Sequence, residues 1–283
     1  MAYAVAVRPR HPKKAIEAAL TMAEASGWMI EPRSGHAWGI MRCPAGERGG
    51  CQVSIWSTPR NADNHAKQLT KECDQVPTPI ATAPGLQQTV RAEATHTFIL
   101  LLRGANPLEY LDALFDAGCD DAIFGEREGT YFAEFDREAP TLADAIVTAI
   151  EQVESAVPGV QVVRVEPDEL VNAAAIAART RRTRESIRLL IDHRRGPGNF
   201  PAPIGWLNPK TRLWRWSDVA RWFAEFDKVP GERCSVEDAL FIAGLNAAFD
   251  LRDHVNLVTQ ASTRRHLVHI LEQVNRKAQT SSA

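Results

Sequence analysis

Apolar residues recur at helical spacing near the start of the chain, where Ile16, Ala19, Leu20 and Ala23 fall on one stripe that ends at Gly27. Three short runs follow, WMIEP, HAWGIMRC and CQVSIWS, separated by the turn-rich stretches RSG and PAGERGG; they predict three strands. A second helix is predicted in TPRNADNHAKQLTKECDQV, capped by Asn61 or Asp63 with Leu69 facing inward. The stretch PTPIATAPGLQQTVRAE carries three prolines and no clear period, which predicts a linker.

Beyond it, THTFILLLR reads as a strongly apolar strand. NPLEYLDALFDAG predicts a helix with Asn106 as cap, Pro107 at its first position, Glu109 closing a capping box and Gly118 stopping it. DDAIFGEREGTYFAEFD predicts a hairpin turning near Glu126–Gly129. Thr141 caps a further helix that puts Leu142, Ile146, Ile150, Val153 and Val157 on one stripe, and VQVVRVE closes as a strand. The order β-α-β-β-α-β predicts a ferredoxin-like sandwich.

The last third begins near Pro167 with two short helices, ELVNAAAIAART and TRESIRLLIDH, joined by a turn at 180–182 and capped at the second by Thr183. FPAPIGWLNPKTRLWRW predicts a hairpin turning at 208–211, Ser217 caps SDVARWFAEF, and Ser235 caps VEDALFIAGLNAAFDL before a last helix, STRRHLVHILEQVNRK. The fold class expected is therefore α+β and multidomain. Its parts are an α-β-β-β-α module over 1–76, a linker over 77–94, a ferredoxin-like domain over 95–166, a winged helix-turn-helix over 167–229 and a helical arm over 230–283.

Composition leaves this picture intact: 283 residues, 45% hydrophobic and 24% charged, suit a soluble globular chain. No apolar run approaches the ~20 residues of a transmembrane helix, and the opening MAYAVAVRPRHPKK has the wrong charge order for a secretory signal. Cys43, Cys51, Cys73, Cys119 and Cys234 are odd in number, scattered and form no CxxC pair, which points to reduced thiols and a cytoplasmic location. No GxGxxG, P-loop, HExxH or GxSxG motif is present, so no cofactor is expected and a small-molecule enzyme has little behind it.

Charge changes the picture more. Residues 1–80 carry ten Lys and Arg against seven Asp and Glu, residues 95–168 four against fifteen, and residues 169–229 twelve against six. The net −2 thus hides a basic, acidic, basic succession of the kind that separates modules with different partners. Seven arginines lie within 178–201 alone. Arg184 and Arg188 share a helix face, and Arg182, Thr183 and Ser186 lie at the helix start, where backbone N–H groups also favour phosphate. Arg194 and Arg195, with Lys210, Arg212 and Arg215 in the hairpin, would hold flanking DNA backbone. A solvated face would instead mix acids among the arginines, and only Glu185 and Asp192 are there. Trp214, Trp216 and Trp222 are expected in the core beside Val219 and Phe223.

The stretch AAIAARTRRTRESIRLLI…FPAPIGWL…RLWRWSDVARWF resembles the helix-turn-helix of the AlpA/excisionase and MerR-like group over about sixty residues. The resemblance implies double-stranded DNA as partner. One departure is Arg181, at a turn that often carries Gly. Helix-turn-helix proteins often read paired half-sites, so the C-terminal helices are the expected place for two copies to pair.

The first module's order is that of the double-stranded-RNA-binding fold. With GW…SGHAWGIMRC it resembles the HicA-type ribonuclease toxins, Gly27–Trp28 and Ser34–Gly35–His36 matching by position. The resemblance implies a metal-independent endoribonuclease with His36 as general acid or base, and RNA as a further partner. Arg33, Arg42 and Lys67 are the candidate cations for the phosphorane. The plain alternative is that His36, Trp38 and Ile40 share one strand face that is core. A zinc site from His36, Cys43, Cys51 and His65 is disfavoured, because His36 and Cys43 point to opposite strand faces. The stretch GTYFAEFDREAPTLADAI is similar to HicB antitoxins, though the helix at 107–118 departs from their order.

Two functions stay open on these grounds. One is a DNA-binding transcriptional regulator of toxin–antitoxin type, its RNase-like module held latent by the acidic domain. The other is a phage- or excisionase-like DNA-binding adaptor whose first module only binds RNA or protein.

Overall fold

The computed structural model describes residues 8–44, 51–74, 94–167, 169–208, 211–226 and 235–270. The chain divides into two compact units, Met1–Pro167 and Asp168–Ala283, a boundary that falls where the third segment was expected to begin. Residues 77–93 of the expected linker lie outside the described residues, and Ala94 already belongs to the strand that follows.

The first unit opens with α1 (Lys14–Ala25), β1 (Met29–Pro32), β2 (Ala37–Arg42), β3 (Gln52–Trp56) and α2 (Ala62–Asp74). Gly27, at φ +85°, turns the chain out of α1, and the Trp28 N–H returns to the Ala23 carbonyl. Asn61, rather than Asp63, caps α2, its side-chain oxygen accepting the N–H groups of Asp63 and Asn64. The stripe Ile16, Ala19, Leu20 and Ala23 is buried against Met41, Val53, Ile55 and Leu69.

The same unit continues through β4 (Ala94–Gly104), α3 (Leu111–Asp116), β5 (Ala122–Arg127), β6 (Thr130–Ala139), α4 (Leu142–Ala156) and β7 (Val160–Glu166). The helix expected from Asn106 to Gly118 is broken. Asn106 does accept the Leu108 N–H, but the turn at Pro107–Glu109 is of 3-10 type, and Tyr110 leaves helical dihedrals before α3 begins. The hairpin turns at Glu128 and Gly129, both at positive φ, as a two-residue loop with right-twisted strands requires. Thr141 caps α4 through the Asp144 N–H. The buried stripe of α4 is centred on Ala145, Ile146, Ala149 and Val153, so Leu142 and Ile150 stand only half-buried at its edge.

All seven strands form one antiparallel sheet in the order β1-β2-β3-β5-β6-β4-β7. The two segments expected as separate modules therefore share a sheet, through a short seam that registers Gln52 with Glu126 and Val53 with Gly125. Gly125 is required there: a Cβ would lie 2.7 Å from the Gln52 carbonyl oxygen and 2.5 Å from the Phe132 ring. Gln52 donates to the Glu126 carboxylate at 2.6 Å, and the Phe124 N–H donates to the Ser54 hydroxyl. Helices α1 and α2 cover one face, packing Val53, Ile55 and Ile123. The other face holds Trp56, Phe124 and Phe135 in edge-on contact, with Phe115 of α3 over Trp56.

The second unit comprises β8 (Leu170–Val171), α5 (Ala173–Arg179), α6 (Arg184–Ile191), β9 (Gly205–Asn208), β10 (Thr211–Arg215), α7 (Trp216–Phe226) and α8 (Val236–Leu257), followed by a helical stretch at 261–270. Its sheet runs β8-β10-β9. Strand β8 was not anticipated; two residues give no periodicity, and only the pairing of Val171 with Trp214 reveals it. Ser217 is not a cap but lies inside α7, its hydroxyl donating to the Glu169 carboxylate at 2.7 Å. Ser235 does cap α8, accepting the Asp238 N–H. Trp214, Trp216 and Trp222 are buried with Ile176, Ile187, Leu190, Val219 and Phe223, which makes them core as expected. The architecture is mixed α+β in both units.

Candidate nucleic-acid interface and the His36 loop

Helices α5 and α6 are joined by a four-residue turn whose geometry follows from backbone accounting. Thr180 ends α5, the Arg181 N–H bonds to the Ala178 carbonyl, and the Arg182 N–H reaches back to Ala177. Such a closing pattern needs a left-handed residue, and Arg181 supplies it at φ +53°. Thr183 then caps α6 by accepting the Ser186 N–H at 3.1 Å. That bond engages the Thr183 hydroxyl and only the backbone of Ser186. Beyond α6, the N–H groups of Arg194 and Arg195 both bond to the Leu189 carbonyl, which folds their backbone back onto the helix end.

The arginines fall into two groups. Arg181, Arg184, Arg194 and Arg195 are exposed and make no ion pair among the described residues. Arg188 is exposed but engaged. Its Nε and Nη2 donate to the two Glu185 carboxylate oxygens at 2.9 and 2.7 Å, and Nη1 lies 3.5 Å from Asp192. This pairing depresses the Glu185 carboxyl and raises the Arg188 guanidinium. Arg182 lies over the Phe223 ring, and Arg212 over Trp214 with Asp192 at 3.8 Å. Arg215 is exposed at the end of β10, and Lys210 lies outside the described residues. Arg181, suspected from sequence only as an awkward turn residue, thus joins the exposed set. The Glu185–Arg188 spacing of three was the sequence signal that Arg188 would be engaged.

His36 lies in the loop that enters β2, and α3 seats directly on it. The His36 ring stacks on Phe115 with centroids 4.1 Å apart and planes 8° from parallel. The His36 backbone N–H donates to the Asp112 carboxylate at 2.7 Å, and the ring Nε2 stands 3.5 Å from Asp116. Gly35, at φ +111°, leaves room for the Asp112 carboxylate; a Cβ would come within 2.8 Å of it. A cleft of about 240 Å³ opens alongside, lined by Arg33, Ser34, Leu108, Tyr110 and Asp112, with Arg33 donating to the Leu108 carbonyl. The other two candidate cations are elsewhere. Arg42 ends β2, roughly 20 Å of strand from His36, and pairs with Glu31; Lys67 is exposed on α2, over the opposite sheet face. The structure brings only Arg33 towards His36.

Two buried histidines secure the end of β3. The Trp56 N–H donates to His65 Nε2, and the Trp56 carbonyl faces His11 Nε2 at 3.0 Å. The Lys13 N–H donates to His11 Nδ1, which leaves the proton on Nε2 for Trp56. Burial lowers the pKa of His11 and pushes that of His65 down to about 3. Burial likewise pushes the Cys119 thiol up to about 12, and it raises Cys51, which also neighbours Cys43. Among the described residues no group of three or more His, Cys, Asp and Glu is placed to hold a metal ion, and no helix is long and apolar enough to cross a membrane.

Comparison with protein-family models, with curated proteins and with solved structures gives no match to this chain.

Proposed function

We propose that the protein is a DNA-binding transcriptional regulator of toxin–antitoxin type, reading double-stranded DNA through a winged helix-turn-helix in its second unit. The observation that carries this reading is the set of arginines, Arg181, Arg184, Arg194 and Arg195, at the two ends of α6 that are exposed and make no ion pair among the described residues. Cations so placed meet phosphate, while the first turn of α6 presents N–H groups to the same backbone. Leu257, Val268 and Ile270 are exposed on the C-terminal helices, which supports pairing of two copies there.

In this reading the first unit is a HicA-like module kept latent by the acidic, ferredoxin-like segment, whose α3 sits on His36. A specific observation favours the adaptor reading for that unit: Arg42 and Lys67 stand apart from His36, and β3 and β5 join the segments in one sheet. Full-length protein titrated onto duplex DNA from upstream of its own gene tests the main reading. Tight, salt-sensitive binding is expected, lost when Arg184, Arg194 and Arg195 are all changed to Ala; unchanged binding in that variant would sink it. RNA cleavage released by Asp112→Ala together with Asp116→Ala, and abolished by His36→Ala, marks a latent nuclease. Intact RNA throughout marks an adaptor.

A further inference from the structure

The charge along the α6 surface is not uniform. Four exposed arginines lie at its two ends, but between them in sequence stand Glu185 in the first turn, Arg188, and Asp192 at the C-cap, a triad of net charge −1. Arg188 is held in a two-bond fork by Glu185 and approached by Asp192, so three of its nitrogens face carboxylates. Asp192 also approaches Arg212 of β10, and Glu185 feels the charge of Arg194. Arg188 and Glu185 remain 53% and 62% exposed, so the pair secures no buried surface. An exposed pair of this kind contributes little to folding. Two carboxylates set among the arginines of a polyanion-binding face, however, oppose every phosphate that approaches.

Building on the DNA-binding reading, we infer that Glu185 and Asp192 are specificity-determining residues: they hold Arg188 off the phosphate backbone and so limit sequence-independent affinity. The grip on the backbone then comes from the flanking arginines, and the face of α6 discriminates between sites by hydrogen bonds to base edges. Specificity is a ratio of affinities, and lowering the non-specific member raises it without any new contact. Each phosphate neutralised steepens the dependence of log affinity on log salt by about 0.9. Releasing Arg188 therefore has a defined signature.

The test is a salt series on the full chain with two duplexes, one of mixed sequence and one from upstream of the gene. Glu185→Gln keeps the shape and removes the charge. It is expected to tighten binding to the mixed duplex several-fold, to steepen the salt slope by about 0.9, and to narrow the preference for the upstream duplex. Adding Arg188→Gln to Glu185→Gln is expected to return the slope to that of the wild type. A wild-type slope in Glu185→Gln would overturn the inference, and a double-variant slope shallower than the wild type's by about 0.9 would overturn it by showing Arg188 already on a phosphate. Failure of the wild type to bind either duplex would overturn instead the reading on which it rests. Melting of each variant at the wild-type temperature confirms that the exposed substitutions leave the fold in place.

Discussion

Arg181 carries two requirements at one position. Its φ of +53° closes the turn between α5 and α6, a conformation that costs a non-glycine residue on the order of 1 kcal/mol. Its exposed guanidinium belongs to the set proposed to meet phosphate. Arg181→Gly is therefore expected to raise the denaturant midpoint by about 1 kcal/mol of stability while weakening duplex binding and flattening its salt dependence. A variant that loses both stability and binding would contradict the assignment. His65 behaves differently, because its charge is excluded from the fold. Its folded pKa, about 3, lies below the unfolded value of 6.5. Between those values the unfolded chain binds the extra proton, so stability falls as pH drops below 6.5, by up to about 1.4 kcal/mol per pH unit. The lowered pKa of His11 acts in the same direction. Urea titrations from pH 7 to about pH 4 are expected to show a steeper decline in the wild type than in His65→Gln; parallel curves would exclude His65 as the source.

At the scale of elements, the helices and strands were largely legible because their signals are local. The stripe of α1, the caps Asn61, Thr141, Thr183 and Ser235, and the turn at Gly129 each depend on a few neighbouring residues. The break at Tyr110, the strand β8 and the place of Ser217 were not legible, since partners far along the chain decide them. The arginine window was legible as a surface, but its division between exposed and engaged side chains became visible only with rotamers in place. The union of β3 with β5 was hidden for a further reason: Gly125 reads as an ordinary weak strand residue until its contact with Gln52 is seen. Gly125→Val is expected to destabilise the first unit by about 1–3 kcal/mol and to split its calorimetric transition in two. A single, merely shifted transition would mean that the seam does not couple the two halves. Gly35→Ala acts on another junction, pushing Asp112 away and loosening α3. Faster modification of His36 by diethyl pyrocarbonate is the expected result, and an unchanged rate would show that α3 tolerates the methyl group.

For the whole molecule, near-neutrality is a sum over unlike regions, and in the first unit the opposite charges meet. Lys71 pairs with Glu134, Arg60 with Asp120 and Asp121, and Arg127 with the buried Glu72, whose carboxyl is raised by that burial. Much of the charge contrast that suggested separate modules is thus spent within one body. The seven-stranded sheet has a consequence for handling the protein. Two separate sheets would expose four edges, each an open ladder ready to capture another chain; joined at β3 and β5 they expose two, at β1 and β7. Strand β1 is short and ends in Glu31 and Pro32, residues that discourage further pairing. Strand β3, with the β-prone run Val53–Trp56, has no such protection of its own. Cutting the chain after α2 would uncover it, so an isolated N-terminal fragment is expected to aggregate, and its poor expression would report an unpaired strand rather than a toxic activity.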